Sequence, residues 1–256
     1  MRELSLPGYT FARIYEDAPS TMDLARDLIP TLNGGAGVVC ALSQSAGRGR
    51  QGRRWASAEG AMMATFLFQT TQPLASLSGY SLVVGLGLVD AFDRFGAKLQ
   101  LKWPNDLVIV CDDTLRKLGG ILIEVQDLGD ARVILVGVGV NLAQAPDDVG
   151  HAASIEAISG SRISVPEALT TVSECLRLAH ELFVSFDGFP RFQGRWEDAS
   201  CFAKDVTEIT LDLGERQVAG TYAGIDERGS LLLRVAGDVR SFHSGHLIEL
   251  RGLRPA

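Results

Sequence analysis

The chain has 256 residues, 46% of them hydrophobic and 21% charged, and a formal net charge of -7. At that length roughly 70 to 75% of the unfolded surface can be buried, so neither a disulfide framework nor a structural metal is required. No run approaches the 18 or so apolar residues of a membrane span, and the acidic balance is the reverse of the basic footprint that long nucleic acids demand.

The opening MRELSLPGYT lacks the apolar core of a secretory signal, which predicts a cytoplasmic protein with no membrane role. PSTMDLARDLIPTLNGG then reads as a helix capped by Ser20, with Asp23 as a partial capping box and Gly34-Gly35 as the stop. AGVVCALSQ and MMATFLFQT read as buried strands on either side of an arginine-rich loop. LSGYSLVVGLGLVDAFDRFG is apolar almost all round, which predicts a helix inside the body of the molecule.

LQLKW, DLVIV, GGILIEV and RVILVGVGV are four strand-like runs separated by short turns, at Pro104-Asn105-Asp106, Cys111 to Asp113 and Asp127 to Asp130. Such short links predict antiparallel neighbours. VPEALTTVSECLRLAHELFVSF returns to helical spacing, with Leu169, Val172, Leu176, Ala179, Leu182, Phe183 and Phe186 on one side. From Val206 onward come five short runs with turns about every eight to twelve residues, the texture of a small β-barrel. The order of elements predicts an α+β domain over residues 1–203 and a barrel over 204–256, of a size that can fold alone.

The loop GRGRQGRRW, Gly47 to Trp55, matches two nucleotide signatures as bare spelling and satisfies neither. A dinucleotide fold needs a helix after the glycines and an acidic residue about 20 positions on, where this chain has Gln72. A P-loop needs Lys then Ser or Thr after its last glycine, where Arg53 and Arg54 stand. A solvated basic turn is the plain alternative. Against it, glycines interleaved with arginines let a backbone lie close to a ligand, forked guanidinium donors match phosphate and carboxylate oxygens, and Trp55 offers a flat apolar face. The loop suits an anion joined to a ring.

KWPNDL, Lys102 to Leu107, reads on its own as a strand followed by an Asx-stabilised turn. The double glycine of RKLGGILIE removes side chains where something can approach the backbone, and GVGVNL ends a strand with Asn141, whose amide can both donate to and accept from an adenine edge. His243 and His246 have H-x-x-H spacing on strand-like sequence without a third ligand, so structural placement is favoured over a metal site. His151 and His180 have no partner motif, and no G-x-S-x-G is present. Cys40, Cys111, Cys175 and Cys201 form no C-x-x-C pair and read as small core residues.

GRGRQGRRW, KWPNDL, RKLGGILIE and GVGVNL, in this order, resemble the biotin protein ligase family, and the likeness covers the chain from about Ile14 to the end. The resemblance implies a class II aminoacyl-tRNA synthetase-like catalytic domain, a mixed sheet flanked by helices, followed by an SH3-like barrel. It implies an enzyme that forms biotinyl-5'-AMP from biotin and ATP with Mg2+, then transfers biotin to a lysine of the carrier domain of acetyl-CoA carboxylase or a related carboxylase. By resemblance Ser20, Thr21 and Gln44 contact the biotin ureido ring, and Gly120 lends backbone to the same site. Gly47, Arg48 and Arg50 close over carboxylate and phosphates, Trp55 packs the adenine side, and Lys117 stands near the biotin carboxylate and α-phosphate. Gly137, Gly139 and Asn141 border biotin and adenine; Asn105 and Asp106 sit near metal and phosphate, Asp106 also orienting the incoming amine.

Two positions depart from the family pattern: Met22 stands where asparagine is usual, and Gln51 where arginine is common. Some members carry an N-terminal winged helix; only about a dozen residues precede the catalytic region here, which predicts no sequence-specific DNA binding. Members include monomers and dimers, and exposed strand edges could pair two copies. A lipoate ligase and a non-catalytic sensor of biotin or its adenylate are the competing readings; the arginine loop with KWPND speaks against the first, and Arg48, Arg50 and Lys117 together against the second.

Overall fold

The computed structural model describes residues 1–146 and 149–256. Eight strands, β1 (Arg2–Glu3), β2 (Tyr9–Ala18), β3 (Ala36–Gln44), β4 (Met62–Thr70), β5 (Gln100–Lys102), β6 (Asp106–Cys111), β7 (Thr114–Asp127) and β8 (Arg132–Val140), form one sheet. Its order is β1-β2-β3-β4-β8-β7-β6-β5, and β2 and β3 alone run parallel because α1 (Thr21–Leu28) carries the chain between them. The sheet is therefore mixed, and the three links from β5 to β8 are antiparallel, as their short turns predict.

Both faces of the central strands are covered, which explains why AGVVCALSQ reads as one apolar run. Val38, Cys40, Phe66, Phe68, Ile134 and Val136 point into the main core, where α2 (Tyr80–Asp93) and α4 (Val165–Ser185) pack together. The alternate residues Val39, Leu67, Val133 and Leu135 join Met22 and Ala25 of α1 in a smaller core on the other side. Ser164 and Glu167 form a complete capping box at the start of α4.

The remaining strands, β9 (Glu208–Asp212), β10 (Gln217–Ile225), β11 (Leu231–Val235), β12 (Asp238–Phe242) and β13 (His246–Arg251), make a second, antiparallel sheet of order β12-β11-β10-β9-β13. Its inward residues Ile209, Leu211, Tyr222, Leu231 and Leu233 belong to the same apolar cluster as the main core. The two parts are also stitched by hydrogen bonds: Trp103 Nε1 donates to the Gly229 carbonyl at 3.0 Å, and Gln100 Nε2 to the Arg254 carbonyl at 2.9 Å. Arg254 donates to the carbonyls of Glu197, Asp198 and Ser200 at the end of α5 (Gln193–Ala199).

Several local expectations change. The first helix ends at Leu28 and continues as a single 3-10 turn, Ile29–Thr31, because Pro30 cannot extend the ladder. Ser20 caps it by accepting from Met22 N, whereas the Asp23 carboxylate turns outward to two arginines, whose charge attracts it more than a neutral cap position. Cys40, Cys175 and Cys201 are buried, while Cys111 is exposed at the β6–β7 hairpin. The strand β2 and the short helices α3 (Ile155–Ser159) and α5 were not legible as elements. Among the described residues no helix is long and apolar enough to cross a membrane.

Candidate active site

Strand register gathers motifs that are far apart in sequence. Lys102 pairs with Asp106, Asp106 with Gly120, Gly120 with Gly139, and Gly139 with Met63, so one cross-strand row runs over β5, β6, β7, β8 and β4. Directly paired residues share a face, and all five line one cleft. The next row places Leu122, Gly137 and Thr65 side by side. The glycines give this face a floor of bare backbone, and the indole of Trp55 lies on it: a Cβ added to Gly139 would come within 2.5 Å of Trp55 Cε2.

Lys117 and Gly120 are three residues apart and would face opposite sides of a regular strand. The β6–β7 ladder pairs Val108 with Lys117 and Leu107 with Gly119, leaving Leu118 as an extra residue. This bulge re-aims Lys117 into the cleft, where Nζ lies 2.5 Å from Asp106 Oδ1 and 6.0 Å from the Trp55 ring centroid. Lys102 Nζ takes the other oxygen, Oδ2, at 3.2 Å. Burial alone would raise the Asp106 pKa, but the two ammonium groups outweigh it and hold the carboxyl below its ordinary value. Asp106 is thus a fixed anion rather than a proton acceptor.

The arginine loop folds on itself as a small hairpin, with Trp55 N donating to the Gly47 carbonyl at 3.0 Å and Gly49 N to the Arg53 carbonyl at 2.7 Å. Gln51 and Gly52 take positive φ at the tip. Arg48 makes a two-pronged contact with Asp23, at 2.7 and 3.3 Å, and Arg50 Nη1 donates to Asn105 Oδ1 at 3.2 Å. Asn105 is itself pinned, because its Nδ2 donates to the Ile121 carbonyl at 2.8 Å.

Where α1 begins, the neutral side chains Ser20, Thr21, Met22 and Gln44 line the cleft. Ser20 and Thr21 are buried at the start of α1; Gln44 Oε1 accepts from Thr21 N at 2.7 Å, and Thr65 Oγ1 donates to Thr21 Oγ1 at 2.9 Å. Met22 is buried beside them, its Sδ 3.0 Å from the position a Cβ on Gly137 would occupy.

Of the residues singled out from sequence, Ser20, Thr21, Gln44, Arg48, Arg50, Trp55, Asn105, Asp106, Lys117, Gly120, Gly137 and Gly139 line this cleft. Gly47 and Asn141 stand behind the lining. A Cβ on Gly47 would press on Gln44 Nε2 and the Trp55 carbonyl, each at 3.1 Å. Asn141 is 3% exposed and donates through Nδ2 to the Ala153 carbonyl at 3.1 Å. Its Oδ1, like Trp55 Nε1, is buried without a hydrogen-bond partner among the described residues. Sequence reasoning did not assign Lys102, Thr65, Asp23 or His246 to the site, although each holds or adjoins a residue it did assign there. Only their pairing partners, fixed by register and tertiary contact, reveal them.

A glycine-floored cleft lined by neutral polar side chains and by several cations agrees with what the comparisons find. The chain belongs to the biotin/lipoate A/B protein ligase family, whose model matches residues 15–141. Its relatives within that family include biotin ligases. It is 34% identical over 236 residues to the bifunctional ligase/repressor BirA of Escherichia coli, covering 89% of this chain and 70% of that protein. It is 30% identical over 225 residues to the biotin-acetyl-CoA-carboxylase ligase of Paracoccus denitrificans, covering 84% and 90%. The biotin protein ligase from Aquifex aeolicus in complex with biotin and ATP superposes with a TM-score of 0.75 at 26% identity, covering 94% of this chain and 98% of that one.

Proposed function

We propose that this chain condenses biotin with ATP to biotinyl-5'-AMP and pyrophosphate, then transfers the biotinyl group to a lysine of a carboxylase carrier domain. The observation that carries this reading is the make-up of the cleft: buried Ser20 and Thr21 with Gln44 suit a neutral ureido ring, Arg50 and Lys117 beside Asn105 and Asp106 suit a carboxylate meeting phosphate, and Arg48, tied to Asp23 of α1, adds a third cation to the lining. Gly120, Gly137 and Gly139 let the ligand lie on backbone between these groups. The Trp55 indole, lying on this glycine floor, offers a flat face against which adenine can pack.

In the first step a biotin carboxylate oxygen attacks the α-phosphorus, and the bond to the bridging oxygen breaks to release pyrophosphate. Two anions must approach, so Arg48, Arg50 and Lys117 serve by offsetting their repulsion and the charge that builds on phosphate oxygens. Gly47 gives the loop the close turn by which it covers the mixed anhydride and excludes water. In the second step the carrier lysine amine attacks the acyl carbon, AMP departs with the electron pair, and the amine sheds a proton. Asp106, held ionised, orients that amine by accepting a hydrogen bond, and Asn105 keeps Arg50 in place.

The donor set does not fit a magnesium ion held by the protein. No group of three or more His, Cys, Asp or Glu side chains that could hold one occurs among the described residues, and both Asp106 oxygens are engaged by lysines. Magnesium is therefore assigned to the ATP phosphates, and no step is routed through it.

The large sheet with its helices is the class II aminoacyl-tRNA synthetase-like part, residues 1–203, and the order of the second sheet supports an SH3-like barrel over 204–256. The deciding experiment is magnesium-dependent pyrophosphate exchange into ATP with no acid, biotin or lipoate. Exchange with biotin alone is expected. Exchange with lipoate alone would make the chain a lipoate ligase, and tight biotin binding without any exchange would make it a sensor.

A further inference from the structure

His243 and His246 part company in the structure. His243 Nδ1 meets Ser230 Oγ at 2.7 Å in a small pocket behind the Trp103 turn. His246, the first residue of β13, lines the active-site cleft together with Gly245 and Leu247, and its Nε2 stands 3.4 Å from Nη1 of Arg53. A guanidinium can only donate. Nε2 must therefore offer its lone pair, the ring proton must sit on Nδ1, and the imidazole in this contact is neutral.

Each of three loop arginines is held by a different element: Arg48 by Asp23 of α1, Arg50 by Asn105 of the β5–β6 turn, and Arg53 by His246. The first two partners belong to the large-sheet part. The third alone comes from the C-terminal sheet. We infer that His246 is a positioning residue that clasps the arginine loop through Arg53 and makes the C-terminal sheet a working wall of the cleft.

The clasp has a direction with pH. The charged groups facing the ring are Arg53 of the loop, Lys102 of β5, Asp106 of β6 and Asp212 of β9. Burial, then the two cations, lower the His246 pKa, and the two carboxylates oppose them; the balance leaves it below its ordinary value. The ring is neutral at pH 7, and acid converts an acceptor into a second cation beside Arg53, opening the clasp.

The kinetic consequence rests on the ligase reading, whereas loop order does not, so the test measures both. Hydrogen–deuterium exchange at pH 7 is followed in peptides spanning residues 47–55 of the full chain, for wild type, His246→Ala, His246→Gln, Arg53→Ala and the Arg53→Ala, His246→Ala double variant. KM for ATP is measured in pyrophosphate exchange at pH 7 and near pH 5.5. Loss of one charge-assisted hydrogen bond at a part-exposed site is expected to speed loop exchange about fivefold and raise KM by a similar factor, with a smaller effect on kcat. The double variant is expected to be no worse than either single one. His246→Gln, whose amide oxygen accepts from Arg53 but does not titrate, recovers the pH 7 values and removes the acid rise in KM of the wild type. Loop exchange in His246→Ala equal to wild type, or effects of the two single variants that simply add, would overturn the clasp. Absence of pyrophosphate exchange in the wild type would remove the ligase reading, and the loop exchange rates would still decide the clasp by themselves.

Discussion

Lys117 shows how much one side chain depends on a one-residue irregularity. Its ammonium reaches Asp106 because Leu118 is extra in the ladder, and its side chain remains 36% exposed, so the fold does not hang on it. Lys117→Ala is expected to keep the thermal transition and circular dichroism of the parent while cutting biotin-dependent pyrophosphate exchange about 100-fold or more, the size of losing one preorganised charge donor. Near wild-type exchange would strip Lys117 of its role. The identities of Arg48, Arg50, Lys117 and Asp106 were legible in sequence because charged residues beside glycines are conspicuous. Their directions were not: Asn141 reads alike whether it faces the cleft or the Ala153 carbonyl behind it, and nothing local to His246 says that β13 begins at the cleft.

At the scale of elements, the sheet works as an alignment device. Runs with strong apolar content, β3, β4 and β8, matched their expected bounds residue for residue, since strands covered on both faces leave a long unbroken signal. β2 hides because charged residues interrupt its run, and α3 and α5 are too short for a helical period to show. Gly119 marks where β6, β7 and β8 crowd: a Cβ there would lie 2.6 Å from the Gly139 carbonyl oxygen, in backbone that cannot step aside. Gly119→Ala is expected to cost about 2 kcal/mol, the range of overpacking in a filled core, read as a lower urea midpoint with unchanged m. An unshifted midpoint would mean that the strands slide to admit a methyl group. Gly139→Ala has a different outcome, because the clash is with the Trp55 indole: stability is nearly kept, and KM for ATP rises as the ring is displaced.

For the molecule as a whole, acid is the weak side. His180 of α4 stacks on Phe68 at 4.7 Å, and its Nδ1 lies 2.9 Å from Tyr80 Oη; burial pushes its pKa down to about 4. A folded-state value below the ordinary one of about 6.5 means that stability is present above pH 6.5 and is lost as pH falls from there toward 4, by up to about 3 kcal/mol. Urea midpoints measured across that window should fall in the wild type and stay flatter in His180→Gln; parallel slopes would exonerate His180. Arg254→Ala, which abandons three carbonyls at the end of α5, is expected to lower stability by about 2 kcal/mol. The apolar cluster that runs unbroken from α2 and β8 into β9, β10 and β11 has a consequence for dissection of the gene. Cut between residues 203 and 204, the chain would yield two halves of one cooperative unit, each leaving the other's oily face in water. Calorimetry of the intact protein should show a single endotherm, and the separated halves should regain activity only by reassociating.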